Sequence, residues 1–186
     1  MKKLSICAAA TFFLAACGTG GGNGEQGAGN EPGDALSVPV ENLEHTEGFI
    51  TDIDGGRVLV NDTYYTIDEE SHFVSIGDGK ERELEMGDLE KGMRADVYHS
   101  GMTAKSFPAQ GHASVFVVPD DELPVRQTKA FQAFLEKEGD EFIILGQPEL
   151  GEDKILFDYT IVSASETYAV ELDVENHDYT KEPKNK

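Results

Sequence analysis

The chain has 186 residues, of which 36 are Asp or Glu and 15 are Lys or Arg, for a formal net charge of −21. So dense an acidic surface repels nucleic-acid phosphates and anionic lipid headgroups, and attracts cations, a basic partner or a basic component of a cell wall. The two cysteines, Cys7 and Cys17, both lie near the start, so the rest of the chain has no disulfide, thiolate nucleophile or sulfur-ligated metal and is held by its core alone.

Met1-Lys2-Lys3 is basic, and residues 4–16 are almost wholly apolar or small, ending in Leu14-Ala15-Ala16 before Cys17. The apolar run is shorter than the roughly 20 residues that span a bilayer, and a basic end before a short apolar core reads as an export signal. The pattern resembles a bacterial lipoprotein signal, in which the four residues ending at the cysteine form the lipobox. The resemblance implies a signal peptide over residues 1–16, lipid attachment at Cys17 and a position on the outer face of a Gram-positive cell membrane. Two acyl chains make a stable anchor where one does not. An ordinary secretory signal with a chance cysteine is the alternative.

Residues 17–46 follow as the acylated cysteine and a tether. Half of residues 18–33 are glycine and none is a large apolar side chain, so burial cannot offset the entropy of ordering them. These glycines are no phosphate loop, because no Gly-Lys-Ser/Thr ending is present. Residues 34–46 lead into the fold, with Pro39 breaking any regular element.

The first folded region is expected over residues 47–119. Phe49, Thr51 and Ile53 alternate with Ile50 and Asp52 in a half-buried strand. Asp54-Gly55-Gly56 turns the chain and residues 57–60 return it. Extended pieces follow at 64–67 and 72–76, then a Gly77-Asp78-Gly79 loop and a charged short helix or loop crossing over 80–90. Met93, Ala95 and Val97 alternate in a later strand, and residues 113–118, nearly all apolar, form a central last strand ended by Pro119. Many short strands with Gly-rich turns point to a small barrel cored by Phe49, Ile53, Val97, Val115 and Val117.

Glu47-Gly48-Phe49-Ile50, Arg57-Val58-Leu59-Val60, the run Leu89-Glu90-Lys91-Gly92-Met93-Arg94-Ala95-Asp96-Val97-Tyr98, and Ser106-Phe107-Pro108-Ala109-Gln110 resemble, in order and spacing, the DUF3221 (YobA-like) family of small exported proteins and lipoproteins. The resemblance covers residues 47–118 and implies an OB-like β-barrel, with no catalytic set to carry over.

A second region is expected over residues 124–182, after an Asp120-Asp121-Glu122 linker. Ala130, Phe131, Phe134 and Leu135 lie at helical spacing and Gly139 supplies a stop. Strands are read at 142–145, at 155–162 and at 168–174, with the loop 146–153 and the turn Ser163-Ala164-Ser165 between them. The fold class is therefore α+β: the barrel, then a helix packed on a three-stranded antiparallel sheet with Phe157, Tyr159, Tyr168, Val170 and Leu172 in its core. The last strand, Val170-Glu171-Leu172-Asp173-Val174, resembles that of a PepSY-type domain. A unit of about 60 residues is marginal alone, so it is expected to lean on the barrel through the face bearing Leu156 and Val162, with residues 181–186 frayed.

For chemistry the sequence offers little. The histidines at 45, 72, 99, 112 and 177 are never spaced i, i+4, and only His99, His112 and Asp96 could be drawn together by strand pairing. There is no Gly-x-Ser-x-Gly elbow, and with 36 acidic residues no pair of carboxylates can be singled out by spacing. Asp52-Ile53-Asp54-Gly55-Gly56 opens like a calcium loop but lacks the later ligands and reads as a hairpin turn. No metal or cofactor is assigned. The best lead is a polar and aromatic loop over 98–110, with Tyr98, His99, Lys105, Phe107 and Gln110 as candidate ligand-binding residues. The bland alternative has Phe107 and Pro108 plugging the barrel end.

These features suggest a membrane-anchored, non-enzymatic binding or scaffold module, held to the membrane by its lipid, with an envelope protein or a cationic wall component as partner and no nucleic acid. The alternatives are a cell-envelope hydrolase using surface carboxylates and a regulator of an exported protease.

Overall fold

The computed structural model describes residues 36–184. Cys17, the signal and most of the glycine-rich tether lie outside the described residues.

Strands β1 (Glu44–Asp54), β2 (Arg57–Val60), β3 (Thr63–Thr66), β4 (His72–Gly77), β5 (Lys80–Glu83), β6 (Arg94–Ala104) and β7 (Ala109–Pro119) form one mixed sheet in the order β3-β2-β1-β6-β7-β4-β5. Strand β7 does two jobs. Its first residues pair parallel with β3 and its last with β4. The pairings β1–β2, β2–β3, β3–β7, β7–β6 and β6–β1 therefore close a circuit. Ile50, Val58, Val60, Tyr65, Val97, Ala113 and Phe116 are buried together as one core of this sheet.

The one α-helix among the described residues, α1 (Glu122–Glu138), is separated from β7 by two residues. Asp121 stands at its N-cap position in extended conformation without a side-chain cap hydrogen bond, and Gly139 ends it at φ 87°, donating its amide to Leu135 O at 3.0 Å. Its apolar stripe lies on a second sheet made of β8 (Ile143–Leu145), β9 (Glu149–Leu150), β10 (Lys154–Ile161), β11 (Glu166–Asp173) and β12 (Tyr179–Pro183). The order is β12-β11-β10-β8, with β9 also on β10. The fold is α+β. Among the described residues no helix is long and apolar enough to cross a membrane.

Several expectations need correcting. Of the expected Asp120-Asp121-Glu122 linker only Asp120 and Asp121 stand between elements, since the helix starts at Glu122. The second sheet has five strands rather than three, and residues 181–183, expected to fray, belong to β12 and pair with β11. Residues 80–83 form β5 rather than a crossing, and only Met86–Asp88 makes a turn of 3-10 helix. Of the three missed strands, β5 and β12 lie at sheet edges and carry mostly charged or polar side chains, and β9 is only two residues long. An edge strand buries little, so it shows little hydrophobic alternation.

The cores are also partitioned differently. Phe49 lies on β1 yet is buried with α1 and the second sheet, its ring stacked on Phe131 at 4.2 Å. Val115 and Val117 join Val74, Ile76 and Tyr98 in a separate cluster, against which Leu36, Val38, Val40 and Leu43 pack. The segment leading into the fold is thus a strap laid on the first sheet. Leu156 and Val162, proposed as the contact with the first region, are 40% and 39% exposed. Strand alternation sends them to the opposite face from Ile155 and Phe157, which fill the helix-side core.

Candidate functional site

The residues expected to form a binding loop over 98–110 do not converge. Tyr98 and His99 lie within β6 and Gln110 within β7, so that only residues 105–108 connect the strands. The register between β6 and β7 shifts repeatedly from Tyr98 to Ala104, and that irregular pairing is what hid the hairpin in the sequence. Adjacent positions on a strand face opposite sides. Tyr98 stacks on His45 at 4.6 Å, whereas His99 sits beside Tyr65, with ring centres 5.2 Å apart. Lys105 and Phe107 stand exposed at the hairpin tip, and Phe107, 68% exposed, plugs nothing.

His99 is a structural residue. The Gly101 amide donates to its Nδ1 at 3.2 Å, so the ring proton belongs on Nε2, which faces Thr46 Oγ1 at 3.2 Å. Burial holds its pKa below the usual imidazole value, the direction of a neutral ring. His112 pairs with Asp68 at 3.1 Å and Asp96 with His45 at 3.3 Å, so strand pairing does not gather His99, His112 and Asp96. Among the described residues no group of three His, Cys, Asp or Glu is set to hold a metal.

The structure instead concentrates its specific polar contacts where the first sheet meets α1 and the second sheet. Arg94 on β6 donates through Nη1 to Gln127 Oε1 on α1 and through Nη2 to Glu47 Oε2 on β1, both at 2.8 Å. Gln127, fully buried, passes the link on by donating to Gly151 O at 2.9 Å. Asp96, also fully buried, lies 3.7 Å from the same guanidinium. A second clasp uses Asn61, in the left-handed region at φ 56° and 2% exposed. Its Nδ2 donates to Glu47 O at 2.9 Å, and its carbonyl accepts the Leu145 amide at 3.2 Å. Gln147 donates to the same Glu47 O at 3.0 Å. Two glycines permit this approach. A Cβ on Gly92, φ 87°, would stand 2.4 Å from Gln132 Cγ on α1, and one on Gly48 would stand 1.8 Å from Asn61 Oδ1.

Beside Gly92 the junction opens into a cleft of about 440 Å³. Thr51 of β1 and Leu135 and Ile143 of the second unit line it, together with Glu136, Asp140 and Glu141 near the end of α1. Glu90 and Lys91 complete the opposite wall, but the Lys91 ammonium is already 2.8 Å from Asp52 Oδ1. Burial opposes ionisation of Asp52, yet the hydrogen bonds from Lys91 and Tyr64 outweigh it and hold its carboxyl below the usual range. The cleft therefore presents uncompensated negative charge. Thr51, 5% exposed, carries a hydroxyl oxygen with no hydrogen-bond partner. A ligand was expected near the junction of the two regions or at the 98–110 loop, but no sequence signal singled out these residues, which come from β1, the loop before β6, and both ends of the α1–β8 connection.

No protein-family model matches the chain, and neither a curated protein nor a solved structure matches it.

Proposed function

We propose that this chain is a lipid-anchored, non-enzymatic binding module on the outer face of the cell membrane, presenting its acidic junction cleft to a cationic component of the envelope. The observation that carries the binding role is the cleft itself: four carboxylates against one cation, Lys91, which Asp52 already engages. A size of a few hundred cubic ångströms suits a small ligand or a side chain. The lipobox pattern ending at Cys17 and the glycine-rich stretch after it support the anchoring role. The closed pairing circuit of five strands supports reading the first unit as an OB-like barrel of the DUF3221 kind. The helix on an antiparallel sheet supports a PepSY-like second unit.

The direction of the carboxyl shifts supports a binding over a hydrolytic role. Asp52, Asp68, Glu81, Glu138 and Asp173 are all displaced below the usual carboxylate range. That is the direction of permanently charged groups, whereas a general acid working near neutral pH needs the opposite shift.

Anchoring is tested by Cys17→Ser. The wild-type mature chain should begin at a diacylated Cys17 by mass spectrometry, and the variant should be released from membranes or stay unprocessed. A mature N-terminus elsewhere, or an unmodified Cys17, overturns the anchor.

A further inference from the structure

We propose that residues 36–43 are a detachable strap, latched by Ser37 on Glu81, that opens from the first sheet as a unit while both main cores stay closed. It thereby sets where the chain coming from the membrane leaves the fold. That last role rests on the anchored reading, whereas the strap and its latch do not.

The course of the strap is fixed at its two ends. Glu44, where β1 begins, pairs with His99 of β6, and Ser37 reaches Glu81 on β5. The sheet runs β1-β6-β7-β4-β5 between these ends, four strand spacings or roughly 19 Å. From Ser37 to Glu44 a fully extended chain spans about 24 Å, so the strap crosses the sheet nearly straight. Leu36, Val38 and Val40 are half-buried and alternate with exposed Ser37 and Pro39, as in an extended segment with one face down. That face lies on Val74, Ile76, Tyr98, Val115 and Val117. Seated, the strap hands the chain over at the β5 edge. Open, it hands the chain over at the start of β1, on the other side of the sheet, and uncovers this apolar row.

The strap is separable because of how little holds it. Among the described residues its apolar side chains pack on this third cluster, while the barrel core around Ile50 and the core beneath α1 draw nothing from it. No residue from 36 to 43 belongs to a helix or strand, so no ladder of backbone hydrogen bonds secures it. Among the described residues its hydrogen bonds to the body come from Ser37, whose amide donates to Glu81 Oε1 at 2.8 Å and whose hydroxyl joins the same carboxylate. The Leu43 amide donates within the strap, to Val40 O at 3.0 Å. Strand β1, by contrast, is registered with β6 from Glu44 onward and buries Phe49 and Ile50 completely, so opening stops there. Segments with few buried contacts and no ladder open at a small fraction of the global unfolding free energy. Glu81 suits the latch. Burial opposes its charge, yet the hydrogen bonds from Ser37 and from His72, whose Nε2 lies 3.2 Å from the same Oε1, outweigh it and keep the carboxyl below its usual range.

The test is native-state thiol labelling of the full chain in detergent, where an acylated Cys17 is silent. Val115→Cys puts a thiol in the cluster beneath the strap, and Val58→Cys puts one in the barrel core. The thiol at 115 should react about tenfold faster than the one at 58, or more, because it needs only the local opening. Ser37→Pro deletes the amide donor and leaves the Glu81–His72 pair in place. It should speed labelling at 115 by about a further tenfold, as loss of a charge-assisted hydrogen bond requires, and leave labelling at 58 unchanged. Glu81→Ala should do the same from the other side of the latch, so that a folding fault in one variant does not decide the result. Glu81→Gln, which keeps a carbonyl acceptor, should do less. Equal rates at 115 and 58 would mean that the strap leaves only with global unfolding. Labelling at 115 that ignores both latch variants would mean that Ser37 and Glu81 hold nothing. Either result overturns the proposal. A second label per chain by mass would reveal a free Cys17 and overturn the anchored reading, while the strap stands or falls on the two rates.

Discussion

Glu138 shows how a single buried charge is kept. Its side chain is 9% exposed, and it accepts hydrogen bonds from Tyr159, from Tyr179 at 2.5 Å, and from Lys181 at 2.7 and 3.0 Å. Burial alone would push its pKa up, but the hydrogen bonds from Lys181, Tyr159 and Tyr179 outweigh it and hold the carboxyl below 4.5. The same contacts work in reverse on Tyr179, whose burial and bond to Glu138 push its pKa up to about 12. A carboxyl depressed in the folded state contributes stability that is complete above its unfolded value and lost as pH falls through the folded one. Glu138→Gln should therefore cost roughly 1–3 kcal/mol at neutral pH, with the deficit shrinking as the pH drops below the ordinary 4.5. Urea melts of both chains from pH 7 down to 3 check this; a deficit that does not change with pH would point to lost packing instead.

At the scale of elements, β1 is the hinge of the architecture. Its Ile50 fills the core of the first sheet while its neighbour Phe49 enters the core beneath α1. One strand thereby serves two hydrophobic clusters through its two faces, which the period-2 geometry makes unavoidable. Phe49 is fully buried and stacked on Phe131 with an interplanar angle of 17°. Phe49→Ala should lower stability by about 3–5 kcal/mol, the usual range for emptying a large core position. Because the lost side chain joins the two sheets, hydrogen exchange in β10 and β11 should accelerate more than in β2 and β3. Equal acceleration in both would show that the ring stabilises the molecule without coupling its halves.

For the molecule as a whole, the charge of −21 dominates the electrostatics. Surface ion pairs exist, for example Lys154 with Glu171 and Arg126 with Glu175, but the acidic residues outnumber the basic by more than two to one. Surface pairs contribute little and are screened by salt, whereas net self-repulsion opposes the compact state and is screened as well. With so few cations to offset it, repulsion outweighs the pairs, so the melting temperature should rise as monovalent salt goes from low to moderate concentration. Thermal melts in sodium chloride between about 0.01 and 0.3 M decide it, since the Debye length there falls from about 30 Å to below 8 Å. A melting temperature that falls with salt would mean that the ion pairs dominate.

Periodicity alone disclosed most of the elements: the helix around Phe131 and Phe134, the alternating strands at 155–162 and 168–174, and the glycine turns at 55–56 and 139. These signals are local, because a residue's place in a half-buried strand or amphipathic helix is written into its immediate neighbours. The edge strands β5 and β12 left no such trace, since an edge buries too little to need apolar alternation. Which core a buried residue joins was not legible either. Phe49 reads as a barrel residue until α1 is seen to cover its side of β1, and Val115 and Val117 until the segment from Leu36 to Leu43 is seen to pack against them. The cleft is the extreme case. Thr51, Leu135 and Asp140 are far apart in the chain and ordinary one by one, and only the close approach of α1 at Gly92 brings them to one opening. Sequence determined the strands, the helix and the charge, because each is a property of neighbours or of composition; tertiary structure decided the partition of the cores and the cleft, because each depends on which faces meet across the chain.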